Sequence, residues 1–200
     1  MIDALFGSKT RVKLLHLFLN HPGQSFYVRE ITRVIDEQIN SVRRELSNML
    51  EVGVIVSDTA DNKLYYEVNQ RYEYYVPLRA IFANEPIQER SQTVSKDTVN
   101  EQYLDAIRHL TGLRVAIVAG ILMQDSKSSV DVLLVGTPSP IKVKEVIALI
   151  EKGEAREINY SVVTYEDFYY RLSVRDRFIT EIINTKHTVV VDTDNVLRQE

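Results

Sequence analysis

The sequence predicts an α+β protein of two domains, and three observations carry that expectation. Residues 26–68 (FYVREITRVIDEQINSVRRELSNMLEVGVIVSDTADNKLYYEV) read as a short strand, two helices across a tight turn, and two strands joined by a polar loop. Residues 85–97 (EPIQERSQTVSKD) are polar and lack periodicity. The remainder alternates apolar strand-like runs with amphipathic helices, as a small mixed α/β sheet domain would. The expected organisation is 1–84 for the first domain, 85–98 for a linker and 99–200 for the second.

Ser8 is suited to cap a first helix through Leu19, since its hydroxyl can satisfy a free amide of the first turn. Val12, Leu15 and Leu19 recur at helical spacing, Leu14 and Phe18 widen the apolar face, and Asn20 to Gly23 ends the element. A second helix is expected over Val28–Ile35, with Ile31 and Ile35 facing inward, followed by a turn at Asp36-Glu37. A third opens near Asn40, read as its cap, and buries Val42, Leu46, Met49 and Leu50; Gly53 lies just past its end, where a left-handed residue is favoured.

Burying that stripe leaves Asn40, Ser41, Arg43, Arg44, Ser47 and Asn48 outside. Arginine can fork onto guanine O6 and N7, asparagine can pair with adenine, and serine reaches phosphates or base edges, so this face suits a major groove of double-stranded DNA. A hairpin of Val54–Val56 and Leu64–Val68 follows, with a tip at Asp58–Lys63 in which Lys63 is the one cation. The same arginines also fit the solvated face of a protein-interaction helix, with Glu45 beside them. Residues 1–84 hold ten basic and ten acidic side chains, so no strong electrostatic footprint supports DNA.

The stretch from Leu5 to Ile55 resembles the winged helix-turn-helix transcriptional regulators of bacteria and archaea, in the neighbourhood of the ArsR and MarR types. The likeness rests on the SK-x-R entry, on FYVREI leading into helix two and on NSVRREL…L…GVI in helix three, and extends over about residues 5–82. It implies sequence-specific binding of double-stranded DNA as a two-fold homodimer reading half-sites one helical turn apart. The metal-sensing cysteines of the ArsR type have no counterpart, because the chain has no cysteine.

Two hundred residues, 44% hydrophobic and 26% charged, fit one large or two small globular domains. A net charge of −4 gives no reason to expect the whole chain on a polyanion or a membrane surface. No apolar run approaches the length of a membrane span, and no cationic-then-apolar leader opens the chain, so a cytoplasmic protein without a membrane partner is expected. Disulfides and thiolate metal sites are excluded.

Arg71 to Asn84 reads as a fourth helix started or broken at Pro77, whose strip Tyr72, Tyr75, Val76, Leu78, Ile81 and Phe82 suits either packing on its own domain or a dimer interface. In the second domain, helices are expected over 100–111, 141–152, 165–172 and 176–185. Strands are expected over 115–119, 130–135, 157–164 and 188–191.

Ala119-Gly120, a polar loop, and then Ser128-Ser129-Val130-Asp131-Val132-Leu133 resemble the GS…DxD segment of small nucleotidyltransferases of the kanamycin-nucleotidyltransferase or minimal type, over about residues 100–192. In that family, paired carboxylates two apart on a strand hold the magnesium that escorts the triphosphate. Here Ile121 stands at the serine, and either alignment of Asp131 leaves one acid of the pair replaced, by Ser129 or by Leu133. On the third strand Glu157 is the sole acid. The resemblance therefore implies the fold without catalysis. Gly120, Ser128, Ser129 and Asp131, with Gln124 to Lys127 between them, are candidates to line a pocket for a nucleotide or other anion; Asp131 also reads simply as a solvent-facing or hydrogen-bonded strand residue.

His16, His21, His109 and His187 lack ligand spacing, Phe168 and Tyr169 read as core, and no phosphate loop, nucleophile elbow or zinc pattern occurs, so no cofactor or metal is expected. The expectation is a non-enzymatic DNA-binding regulator whose second domain serves dimerisation, ligand sensing or partner docking. The alternatives are a nucleotidyltransferase that holds its substrate with the first domain, and an antitoxin-like protein-interaction adaptor.

Overall fold

The computed structural model describes residues 3–83 and 99–197, and it is a mixed α+β structure with two separate small sheets. The chain divides into two compact units, residues 1–88 and 89–200. The expected linker, 85–98, lies outside the described residues.

In the first unit a short α1 (Asp3–Phe6) leads to α2 (Lys9–Asn20), which starts where Ser8 Oγ accepts the Arg11 amide at 3.2 Å. Strand β1 (Phe26–Tyr27) runs straight into α3 (Val28–Ile35), and a three-residue turn leads to α4 (Ile39–Val52). The turn begins at Asp36, which takes a left-handed φ of 50°. The cap of α4 is Gln38 rather than Asn40, which is already the second helical residue. Gly53 closes α4 at φ 85°, its amide bonded to the Met49 and Leu50 carbonyls, the left-handed exit that glycine adopts at least cost.

Strands β2 (Ile55–Ala60) and β3 (Lys63–Val68) form a hairpin, and β1 adds to β3, giving the order β1-β3-β2. The hairpin is longer, and its tip shorter, than the six-residue loop expected. Only Asp61 and Asn62 form the turn, at φ 50° and 58°, and two successive left-handed residues match the twist of an antiparallel pair. One sheet face carries Phe26, Ile55, Tyr66 and Val68 into a core with α2, α3 and α4. Helix α5 (Tyr75–Phe82) covers α2, with Pro77 in the first turn, where a missing amide hydrogen costs nothing. The Phe82 ring meets Phe6 and His16 edge-on, at centroid distances of 5.0 and 5.1 Å. Tyr75 and Phe82 of the aromatic strip are thereby buried within this unit, while Ile81 remains exposed.

In the second unit α6 (Glu101–Arg108) precedes β4 (Leu113–Val118), a 3₁₀ turn at Gly120–Leu122, β5 (Val132–Gly136) and α7 (Pro140–Glu154). Then follow β6 (Tyr160–Val163), α8 (Tyr165–Ser173), α9 (Arg177–Asn184) and β7 (Thr188–Asp192). The sheet order is β6-β5-β4-β7, parallel only between β5 and β6. Strand alternation divides the core. Ala116, Val118, Val132 and Leu134 pack with α6 and α7, while Val115, Ile117, Leu133 and Val135 pack with Phe168 of α8 and Ile179 and Ile182 of α9. Tyr169, expected in the core, is 58% exposed, because α8 has only one buried position, Phe168. Among the described residues, no helix is long and apolar enough to cross a membrane.

Candidate nucleic-acid interface

Helix α4 buries Val42, Leu46 and Met49, with Leu50 only partly covered, and turns the opposite side to solvent. Asn40, Arg43, Arg44 and Ser47 are all exposed, and their i, i+3, i+4, i+7 spacing places them on one helical face. Ser41 sits at the margin, half-buried. Asn48 is drawn off this face, donating to Glu45 Oε2 at 3.4 Å.

Glu45 is not part of a solvated charge pattern. It is 2% exposed and receives Arg11 Nε at 3.0 Å, so a side chain that looks like surface in sequence instead ties α4 to α2. Burial pushes its pKa upward, but hydrogen bonds from Ser8, Arg11 and Asn48 and the Arg11 charge hold it below the ordinary carboxylate value. A second tie lies two residues further along α2. Lys13 Nζ donates to the Ile35 carbonyl at 2.8 Å, satisfying the end of α3, and pairs with Glu37 Oε1 at 2.8 Å. Thr10 Oγ1 also donates to Glu37, at 3.4 Å. Thus α2 holds the turn before α4 and the middle of α4 itself. Thr10, Arg11 and Lys13 do not stand out in the sequence; the available cue is that they fall in the first half of α2, among the apolar positions that the helix buries.

The hairpin brings little positive charge. Lys63 is exposed, but its ammonium stands over the Tyr27 ring, 5.4 Å from the centroid, and residues 55–68 also hold Asp58, Asp61 and Glu67. Two cations absent from the sequence reading, Arg29 and Arg33, are exposed on α3 at i, i+4 spacing. Arg43 acts on Tyr66: burial raises the phenol pKa and the arginine charge offsets part of that rise.

The candidate pocket of the second unit is engaged internally. Asp131 is fully buried at the start of β5; Oδ1 accepts the Ile121 amide at 2.9 Å and Oδ2 the Asn159 amide at 2.8 Å. It is a hydrogen-bonded residue, not a solvent-facing one. Gly120 (φ 54°) lies so close to Oδ1 that a Cβ would collide with it, and its amide donates to Ser126 Oγ at 3.0 Å. Ser128 is buried, its hydroxyl donating to the Val130 carbonyl at 2.8 Å, and Ser129 donates from both its amide and hydroxyl to Glu181, at 3.2 and 2.8 Å. The strand expected to hold Glu157 starts only at Tyr160, so Glu157 is exposed before it. Among the described residues no cluster of histidine, aspartate and glutamate is arranged to hold a metal.

Comparison with family models, curated proteins and solved structures gives no match for this chain.

Proposed function

We propose that the first unit is a winged helix-turn-helix that binds double-stranded DNA, with α4 as the recognition helix. The observation that carries this reading is the exposed face of Asn40, Arg43, Arg44 and Ser47 on a helix anchored at its start and middle by α2. Such a face presents forked and bidentate donors to base edges, and anchoring fixes their register before contact. Ser41, Arg29 and Arg33 supply phosphate contacts, and Lys63 contributes one from the hairpin. The protein acts as a homodimeric, cytoplasmic regulator of transcription. Its second unit is a nucleotidyltransferase-like domain without catalysis, used for dimerisation or for sensing a nucleotide or protein ligand; the internal bonding of Asp131 supports a structural role for the residue nearest the family's metal acids.

Fluorescence anisotropy with the duplex upstream of its own gene, beside a scrambled duplex and across a salt series, tests the reading. Preference for the upstream duplex, lost in Arg43→Ala/Arg44→Ala, is the expected result. Weak binding indifferent to sequence would sink it and favour the adaptor reading, for which the even charge balance of residues 1–84 and the acidic hairpin speak.

A further inference from the structure

The three-stranded sheet has one face in the core and one in solvent. The cross-strand pairs Val56↔Glu67, Asp58↔Tyr65 and Ala60↔Lys63 all lie on the solvent side, where Tyr27 continues the row opposite Tyr65. A groove of about 260 Å³ crosses this face, lined by Ser25, Val56, Asp58, Tyr65 and Glu67 among others. Its chemistry is one-sided. The two charged side chains that line it, Asp58 and Glu67, are both carboxylates, and no ion pair reaches either among the described residues. Asp58 Oδ1 accepts only the adjacent Thr59 amide, at 2.7 Å. Lys63, on the same face, leans over Tyr27 on the β1 side, away from β2. Val56 is 41% exposed beside these charges, so the groove offers apolar surface as well.

We propose that this face docks an extended, cationic segment of a partner protein, with Asp58 and Glu67 receiving two basic side chains. Within the groove, which Lys63 at the hairpin end of the face does not line, the two carboxylates repel phosphate and attract lysine or arginine. Spacing selects the conformation. Asp58 and Glu67 are diagonal neighbours across β2 and β3, about 7 Å apart by strand geometry. Side chains at i and i+2 of an extended chain are separated by about 6.6 Å on one face, so a basic-x-basic segment meets both carboxylates in register. Val56 and the Tyr65 ring give the aliphatic stems of those side chains an apolar bed. Strand β2 is the outer strand of the sheet, which leaves this face open on that side to an incoming chain. The partner site requires no DNA contact and stands or falls apart from the role of α4.

The test uses the full chain and a labelled octapeptide in which lysine and arginine alternate with valine, followed by fluorescence anisotropy. Saturable binding is expected, weakened about tenfold or more by Asp58→Asn/Glu67→Gln. Glu73→Gln/Glu166→Gln, which removes two exposed carboxylates elsewhere, should leave it unchanged. Both variants must keep the parental melting curve, and Asp58→Asn alone serves if the double variant does not. Equal weakening by the two variant pairs would mean diffuse charge attraction and overturn the proposal, as would absence of saturation. A peptide with its basic residues adjacent rather than alternating should bind several-fold more weakly; equal binding would overturn the extended register. Sedimentation showing that Asp58→Asn/Glu67→Gln dissolves a dimer would assign the face to a second copy of this chain and also overturn it.

Discussion

Arg11 on α2 donates its Nε hydrogen to Glu45 at the middle of α4, 3.0 Å away, and the glutamate side chain is only 3% exposed. Two helices that share an apolar core are thereby locked in register by a directional, charge-assisted bond. Removing the carboxylate leaves Arg11 and Asn48 without their shared acceptor, so Glu45→Ala should lower unfolding free energy by about 2–3 kcal/mol. Arg11 keeps access to water, and Arg11→Ala should still cost more than about 1 kcal/mol because it strands a buried carboxylate. Urea unfolding of each single variant and of the double checks this. Additive losses would show that the two residues are not coupled.

Two carboxylates of the first unit hold depressed pKa values, and the sign of their linkage follows. Glu37 is lowered first by its bond from Lys13, and Glu45 by bonds from Ser8, Arg11 and Asn48 that outweigh its burial. A group with a depressed folded pKa stabilises the fold above its unfolded value, about 4.3 for glutamate, and that contribution is lost as pH falls through the folded value. Acid titration followed by circular dichroism should show wild-type stability falling steeply below about pH 4.3, and Glu45→Gln should flatten that fall. An unchanged acid limb in Glu45→Gln would remove Glu45 from the account.

In the second unit the turn after β4 closes on one side chain. Asp131→Ala removes the one acceptor shared by the part-buried Ile121 and Asn159 amides and empties a fully buried site, which should cost about 2–3 kcal/mol. Gly120→Ala combines a left-handed backbone with a Cβ against the same carboxylate and should cost about 2 kcal/mol or more. Urea midpoints read both. Because the carboxylate is committed to the backbone, millimolar magnesium should leave the midpoint of the parental protein unchanged; a rise would show metal linkage and return Asp131 to a ligand role.

Elements were legible in the sequence where one physical signal dominated. The strands β4 and β5 are near-continuous apolar runs because both faces are covered, and α3 and α4 keep a helical period over Ile31 and Ile35 and over Val42, Leu46 and Met49. Gly53 marked the end of α4 because little else adopts φ 85° cheaply. The errors fell where residue type and position disagree. Asn40 is a better cap than Gln38, yet Ile39 is helical and 38% exposed, so the apolar period did not register the true start. Glu45 reads as surface in sequence because a charge seldom enters a core; only the three-dimensional approach of Arg11 makes it tolerable there. The sequence leaves Asp131 open between a solvent-facing and a hydrogen-bonded role because its partners are backbone amides 10 and 28 residues away. The exposed set Asn40, Arg43, Arg44 and Ser47 was legible because subtraction of a buried stripe is all that its identification requires.

The roles proposed for Arg44 and Lys63 differ in what they do to specificity, and binding thermodynamics separates them. An arginine forked onto a guanine edge loses its value when the base changes, whereas a lysine on phosphate is indifferent to sequence. Arg44→Ala should therefore cost about 1–3 kcal/mol on the upstream duplex and much less on a scrambled one, narrowing the ratio between them. Lys63→Ala should weaken both duplexes alike and reduce the slope of log affinity against log salt by about 1. The lysine effect is bounded from above by its surroundings: its ammonium rests over Tyr27, and Asp58, Asp61 and Glu67 share its hairpin. Anisotropy titrations at several salt concentrations measure all three quantities. An Arg44→Ala loss equal on both duplexes would make Arg44 a backbone contact and move base reading to Asn40 and Arg43.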